Sequence, residues 1–338
     1  MQKIQRKILV TGAAGFLGAH LSEALANAGN KVVGIDNMSG GYEDNIPTNI
    51  EFHKLDCCDF EKIKSIMRGI DAVYHCAATA HEGLSVFSPF EITKNNYLAS
   101  VSVFSAAVNA KVKRIIFCSS MARYGSQKHP FKETMNPKPI DPYAISKVAS
   151  EQVLINLCEL NKVEWVIAVP HNIIGPKQKY DDPFRNVVSI MINRMLQGKA
   201  PIIYGDGKQT RCFSYIEDCL SCLIPMLDQK NLNKQIINIG PDEEFVTINK
   251  IAELCSNVTG VNLQPIYKKD RPQEVKHATC SADKAREMLN YKTQVPLLEG
   301  VKRTFEYIKK RGVKPFNYHI NIEIDNELTP STWKNKEI

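Results

Sequence analysis

The sequence predicts an α/β fold: a doubly wound parallel sheet followed by a smaller C-terminal α/β lobe. Three observations carry this. Short apolar runs alternate with amphipathic helical patterns through the first half of the chain, as in a parallel sheet covered on both faces. A glycine-spaced turn, "TGAAGFLG", joins the first run to the first helix. An acidic residue, Asp36, closes the second run.

In order, "KILVTG" reads as a strand and residues 16–29 as a helix; "KVVGID" and "IEFHKLD" read as the second and third strands. Residues 59–68 read as a helix, "AVYHCAA" as a strand, 95–110 as a helix and "RIIFCSS" as a strand. A long helix over 143–161 and the strand "EWVIAVP" complete the first domain, residues 1–175. From about 176 the elements shorten between prolines and turn residues. This marks a lobe over 176–315, with later segments returning to the first domain. In the tail, 316–338, Ile320, Ile322 and Ile324 alternate in "HINIEID", predicting an edge strand before a disordered end.

The 338 residues are 43% hydrophobic and 23% charged, with a net charge of +7. No apolar run reaches the roughly 18 residues of a membrane span, and the polar N-terminus is no signal peptide. The charge is spread out, which argues against a nucleic-acid surface. Ten scattered cysteines, mostly in apolar segments, read as reduced thiols of a cytoplasmic protein. Cys219 and Cys222 read as two thiols of one helix, since no second pair completes a zinc site.

Gly12, Gly15 and Gly18 of the turn have distinct uses. Glycine permits the tight bend, the approach of a pyrophosphate and close packing of helix on strand. The anion then meets unpaired N–H groups at the helix N-terminus. The Asp36 carboxylate can accept from both ribose hydroxyls and repels a 2′-phosphate. No Arg lies between Lys31 and Tyr42, so the cofactor predicted for this Rossmann domain is NAD.

With "IDN", "LDCCD", "HCAA", "NNYLAS", "SSMARYG", "YAISK", "HNIIGP", "YGDGKQTRCFSYIED" and "DRPQEV" following in order, residues 6–312 resemble the extended short-chain dehydrogenase/reductases. The similarity is to their NAD-dependent epimerase/dehydratase branch, typified by UDP-glucose and UDP-N-acetylglucosamine 4-epimerases. It implies that Phe16, Leu17, Asn37, Ser119 and Pro170 join the cofactor site, with Asp56 and Cys57 at the adenine. Ala77 and Ala78 line the cleft, Asn96 steadies the central strands, and His171 lies beside the nicotinamide.

Tyr143 and Lys147 form Y-x-x-x-K, one helical turn apart on one face. A tyrosine with an ordinary pKa of about 10 is a poor base at neutral pH, and a nearby ammonium favours its phenolate. The resemblance makes Ser120 the third member, bonding the same sugar oxygen. It also places an Asp-Glu pair directly after that serine in 4,6-dehydratases, and the Glu in decarboxylases. Here Met121 and Ala122 stand there, and neither moves a proton.

Arg211 and Arg271 match the family's diphosphate-binding arginines, and a planar fork suits that contact. Asn172 matches a phosphate- or sugar-contacting residue. Tyr204 is either a wall of the base site or a core tyrosine. Phe184, Arg185 and Asn186 fall in a substrate-facing loop. Ala278 stands where a bulky Tyr excludes N-acetyl sugars in some epimerases. His81 and Glu82 fall at the sugar mouth. With His171 they could form a donor set, but a polar rim is the reading adopted, and no metal is expected. The resemblance implies a nucleotide-sugar 4-epimerase, paired through helices 95–110 and 143–161 as a homodimer with Val101, Val108, Val153 and Leu157 outward. Other nucleotide-sugar oxidoreductases or epimerases, 4,6-dehydratases and a non-catalytic NAD-binding regulator are the alternatives.

Overall fold

The computed structural model describes residues 5–338. β1 (Lys7–Thr11) leads through α1 (Phe16–Asn27) to β2 (Lys31–Asp36) and β3 (Glu51–Lys54). Then come α2 (Phe60–Ile66), β4 (Ala72–His75), the short helices α3 (Glu82–Ser85) and α4 (Pro89–Thr93), and α5 (Ala99–Asn109). β5 (Arg114–Cys118), α6 (Pro142–Asn161) and β6 (Glu164–Pro170) follow. Next are β7 (Ile173–Ile174), α7 (Val187–Leu196), β8 (Ile202–Tyr204), β9 (Thr210–Arg211), β10 (Ser214–Tyr215), α8 (Ile216–Leu223) and β11 (Gln235–Ile239). The chain closes with β12 (Val246–Thr247), α9 (Ile248–Thr259), β13 (Ile266–Lys268), β14 (His277–Ala278), α10 (Asp283–Leu289), α11 (Leu297–Arg311) and α12 (Ser331–Lys334).

Seven strands form one sheet in the order β11-β6-β5-β4-β1-β2-β3, and every neighbouring pair is parallel. Successive side chains of a strand point to opposite faces, so apolar runs feed two cores. Leu9 packs with Val103 and Phe104 on one face. Ile8 and Val10 pack with Leu21 and Leu25 on the other. The topology reverses at β1 and β4, which opens a crevice at their carboxyl ends. β11 returns to the sheet after the lobe has begun, and α8 and α10 bury Cys219, Cys222, Ala285 and Leu289 against it. Beside the main sheet stand three small ones, β10-β7, β12-β9-β14 and β13-β8, with a core shared by α7, α9 and α11. All ten cysteines are free. No helix among the described residues is long and apolar enough to cross a membrane.

Two expectations are corrected. The helix expected over 95–110 starts earlier, at Pro89, and passes through a π turn at Lys94–Leu98. The wide turn carries Asn96, whose amide exchanges two hydrogen bonds with the Thr79 backbone, at 2.8 and 3.1 Å; a 3.6-residue period cannot show it. The tail is neither an edge strand nor disordered. Glu323 and Ile324 both donate their N–H to Phe87 O, and the Glu323 carboxylate caps α4 through Phe90 N and Glu91 N at 2.8 and 2.9 Å. Ile320, Trp333 and Ile338 pack on Leu84, Phe87 and Phe184. Its isoleucine alternation thus reflects docking on helical turns, with Ile324 left exposed.

The packing of α1 on β1 has no room for a side chain at Gly18, where a Cβ would stand 2.1 Å from Gly12 O. Gly18→Ala should therefore destabilise the fold by about 1–3 kcal/mol in urea unfolding, the usual cost of overpacking. Gly40→Ala, with nothing within 4 Å of its added Cβ, should change stability by less than about 0.5 kcal/mol.

Candidate active site

At the crevice, Gly12 takes φ +72°, and a Cβ on it would lie 2.9 Å from Ala77 N. Gly15 caps α1 without a side-chain bond, and the first turn holds no acidic residue. Its N–H groups are left for an anion. Asp36 Oδ2 accepts from Ala14 N at 3.0 Å and Oδ1 from Met38 N at 2.7 Å. Burial pushes this carboxyl up, opposed by N–H groups of Met38, Ala14 and Gly15. Across the cleft, Asp56 accepts from Asn37 Nδ2 at 3.1 Å and Cys58 N at 2.8 Å.

These residues open onto one cavity of about 540 Å³. Of the cofactor residues expected, Gly12, Gly15, Phe16, Leu17, Gly18, Asp36, Asn37, Asp56, Cys57, Ala77, Ala78, Ser119, Pro170 and His171 all line it. Asn96 does not; it stands behind the wall and holds Thr79. His171 Nε2 lies 3.1 Å from Pro241 O, which makes Nε2–H the donor and Nδ1 an acceptor. That Nδ1 is buried without a partner, and burial lowers the ring to about 4. A loop closed to any Cβ, a bare helix N-terminus, a ribose-reading carboxylate and an orphaned acceptor are what a nicotinamide dinucleotide requires.

Ser120 caps the 3₁₀ turn Met121–Tyr124, accepting from Ala122 N at 3.2 Å. Its own proton is left free, and its hydroxyl pulls the Tyr143 phenol down. Tyr143 sits in the first turn of α6, fixed by Asp141, whose Oδ1 accepts from Ala144 N at 2.8 Å. Lys147, one turn on, donates to Cys118 O at 2.9 Å and lies 4.8 Å over the Phe117 ring.

In the protein alone, burial raises the Tyr143 phenol to about 12. Ser120 and Arg185 pull it down, while Glu82 and Asp141 push it up. The Lys147 amine is engaged by the Cys118 carbonyl, and burial lowers it to about 8, leaving it mostly protonated at neutral pH.

The expected substrate residues line the same cavity: Ser120, Asn172, Tyr204, Arg211, Arg271 and Ala278, with Phe184, Arg185 and Asn186 of the loop. Glu274 gathers the two arginines, 3.1 Å from Arg271 and 3.9 Å from Arg211. Tyr204 proves to be a wall residue, 4.8 Å beneath the Arg271 guanidinium and 2.6 Å from Thr332 Oγ1. Ala278 pairs in register with Arg211. Asn172 donates to Cys212 O at 2.9 Å.

His81, Glu82 and His171 do not form one donor set. His81 Nε2 instead meets Asp182 Oδ2 at 2.7 Å, with His319 of the tail 3.9 Å from the same oxygen. Burial opposes ionisation of Asp182, but His81, Arg185 and His319 prevail and hold it at about 2. Sequence reasoning missed Asp182, which is buried behind the wall, and the tail residues His319, Ile320, Trp333 and Ile338, which line the cavity. "YDDPFRN" carried the one available signal, a carboxylate beside the loop. The tail lies beyond the family pattern and gave none.

Residues 8–240 match the model of the "NAD dependent epimerase/dehydratase family". A solved UDP-glucose 4-epimerase of Thermotoga maritima, with UDP-glucose, is 31% identical with a TM-score of 0.85, covering 90% of this chain and 99% of its own. The UDP-N-acetylglucosamine 4-epimerase of Methanobrevibacter ruminantium, solved with UDP-N-acetylmuramic acid, is 31% identical with a TM-score of 0.84, covering 92% and 100%. A UDP-N-acetyl-alpha-D-glucosaminuronate decarboxylase of Bacillus cytotoxicus is 29% identical over 322 residues, covering 91% of this chain and 99% of its own.

The charge balance around Tyr143 sets a test. Its tyrosinate absorbance, taken as the difference between the protein and Tyr143→Phe, should titrate near 12 without cofactor. With oxidised NAD the midpoint should fall by at least one pH unit, because a positive ring favours phenolate. An unmoved midpoint would contradict this account of the base.

Proposed function

The chain belongs to the NAD dependent epimerase/dehydratase family, and from that premise we propose that it is a nucleotide-sugar 4-epimerase acting on a UDP-hexose or UDP-N-acetylhexosamine. The observation that carries this is that Ser120, Tyr143 and Lys147 line one cavity in which Met121 and Ala122 occupy the next two wall positions. Removing and returning hydrogen at one carbon needs a proton acceptor for its hydroxyl. Dehydration needs a further acid and base, and those two side chains are neither. Decarboxylation of a UDP-uronate is the second reading, favoured by the Bacillus cytotoxicus relative and opposed by Glu82, as argued below.

NAD, when bound, supplies the acceptor and donor of hydride and a positive charge in the cleft. The Gly12–Gly18 loop and the start of α1 hold its diphosphate, Asp36 its ribose hydroxyls, and Asp56 and Cys57 flank its adenine. His171 Nδ1 accepts from its carboxamide. Tyr143 takes the proton of the sugar 4-hydroxyl while Ser120 donates to the same oxygen. Bringing a phenol from about 12 to neutrality takes about 7 kcal/mol at about 1.36 kcal/mol per pH unit, so several charges must share the task. Lys147 contributes its ammonium from under the cleft. Arg211 and Arg271 grip the diphosphate, Tyr204 walls the base, Asn172 contacts phosphate or sugar, and Ala278 leaves space beside C2. Ten unpaired thiols support a reducing, cytoplasmic setting.

We also propose a homodimer. Val101, Val108, Val153 and Leu157 are only partly exposed. The apolar side chains that α4, the π turn and α6 leave open are Phe90, Leu98, Ile145 and Leu160, and large exposed apolar groups mark contact faces. Light scattering should give twice the chain mass at micromolar concentration; a monomer would contradict it.

The reading is tested by NMR of products from UDP-glucose and UDP-N-acetylglucosamine. C4 epimers should form, with the acetylated sugar turned over at least comparably. Ala278→Tyr should slow the acetylated substrate roughly ten- to a hundredfold, the equivalent of about 1–3 kcal/mol of overpacking. It should spare the other substrate. Equal loss on both, or no C4 epimer from either, would refute the assignment.

A further inference from the structure

We infer that Glu82 is the charge filter of the sugar subsite, admitting neutral hexoses and rejecting uronic acids; this deepens the nucleotide-sugar reading and rests on it. Glu82 opens α3, and the hydroxyl of Ser85 at the end of that helix donates to Glu82 O at 2.7 Å and to Asp141 Oδ1 at 3.2 Å. Asp141 caps α6 one residue before Pro142 and two before Tyr143. The first turn of the catalytic helix therefore holds α3 in place and brings Glu82 to the phenol. Its side chain is exposed to the lumen of the cavity while protein encloses it. Poor solvation there, reinforced by Asp141 and opposed by Arg211 and Arg271, raises its carboxyl to about 7. No side chain or backbone N–H among the described residues donates to that carboxyl.

The two arginines that act on Glu82 are already committed. Arg271 forks onto Glu274 at 3.1 and 3.3 Å. Arg211 donates to Thr210 O and Lys276 O at 2.9 and 3.3 Å. Both are the groups proposed for the diphosphate, whose charge would cancel theirs. Arg185 of the facing loop makes no hydrogen bond or ion pair among the described residues, and its charge helps hold buried Asp182 ionised. Above about pH 7 the charge that faces the cavity beside the phenol is that of Glu82, with Asp141 behind it, whose Oδ2 is buried and unpartnered. Sugar hydroxyls can donate to Glu82, whereas a sugar carboxylate would place a like charge against it in a confined, poorly hydrated space, where charge repulsion exceeds its value in water.

The test uses NAD-loaded protein carrying Tyr143→Phe, so that nothing turns over, at pH 8.5, where Glu82 is ionised, with UDP-glucose, UDP-glucuronate and UDP titrated calorimetrically. UDP-glucose should bind at least about tenfold tighter than UDP-glucuronate, which is about 1.4 kcal/mol. Adding Glu82→Gln should bring the two sugars within about threefold by tightening UDP-glucuronate, with UDP unchanged; Glu82→Ser should do the same. Equal binding of both sugars with Glu82 present, or a ratio that neither substitution moves, would overturn the inference alone. A common shift of all three ligands would also overturn it, since Glu82 would then act through the arginines. Failure of UDP itself to bind would overturn the UDP-sugar reading and the filter with it.

Discussion

One hydroxyl holds the cofactor end of the sheet in register. Thr11 Oγ1, at the end of β1, accepts from Cys76 N and Ala77 N at 3.1 and 3.0 Å. Its proton therefore goes to His75 Nδ1, 2.8 Å away. That makes His75 Nε2 the donor to Ser100 Oγ at 3.0 Å, and Ser100 in turn donates to Asn96 O. The Asn96 amide then returns to Thr79, beyond β4. Burial keeps His75 neutral, lowered to about 3, which is the state the proton count demands. Each buried group left unpaired by a break would cost about 1–3 kcal/mol. The path fixes Ala77, against which Gly12 is packed too closely for any side chain, so the shape of the phosphate cradle depends on it.

A second polar path lies beneath the catalytic helix. Glu151, one turn beyond Lys147, is bound by Arg123 at 2.8 Å and by the Ser119 hydroxyl. Arg123 reaches Tyr124 OH, which donates to Asn238 Oδ1 on β11 at 2.8 Å. A free Glu151 would compete for the ammonium of Lys147. Engaged by Arg123, it leaves that ammonium with the Cys118 carbonyl as its partner. The path also explains why β11 returns to the sheet after the lobe has begun: it brings Asn238 to the far end of the chain of bonds.

The parallel sheet and the phosphate loop were legible because both are short-range patterns: apolar runs of strand length, glycines three apart, an acid at a strand end. Ser120, Tyr143 and Lys147 were legible as spacing, but their charge balance was not. Whether Lys147 meets a phenol or a carbonyl depends on where Cys118 lies, and the burial of Tyr143 depends on α3, sixty residues upstream in sequence. The polar rim role of His81 was read without its partners, since Asp182 and His319 reach it from 101 and 238 positions away. The tail was misread because alternation reports which side chains are covered, and helical turns can cover them as a strand does.

The tail also imposes an order on synthesis. The sheet is complete once Ile239 has emerged, and the dinucleotide cleft with it. The opposite wall waits for Trp333, about ninety residues later, or roughly 5–18 s at the usual ~5–20 residues per second of translation. During that interval the nascent chain presents a finished cofactor cleft and an open, apolar face of Leu84, Phe87 and Phe184 that only its own last segment will cover. Early cofactor capture would stabilise the sheet by mass action, while that uncovered face is the part most exposed to chaperones.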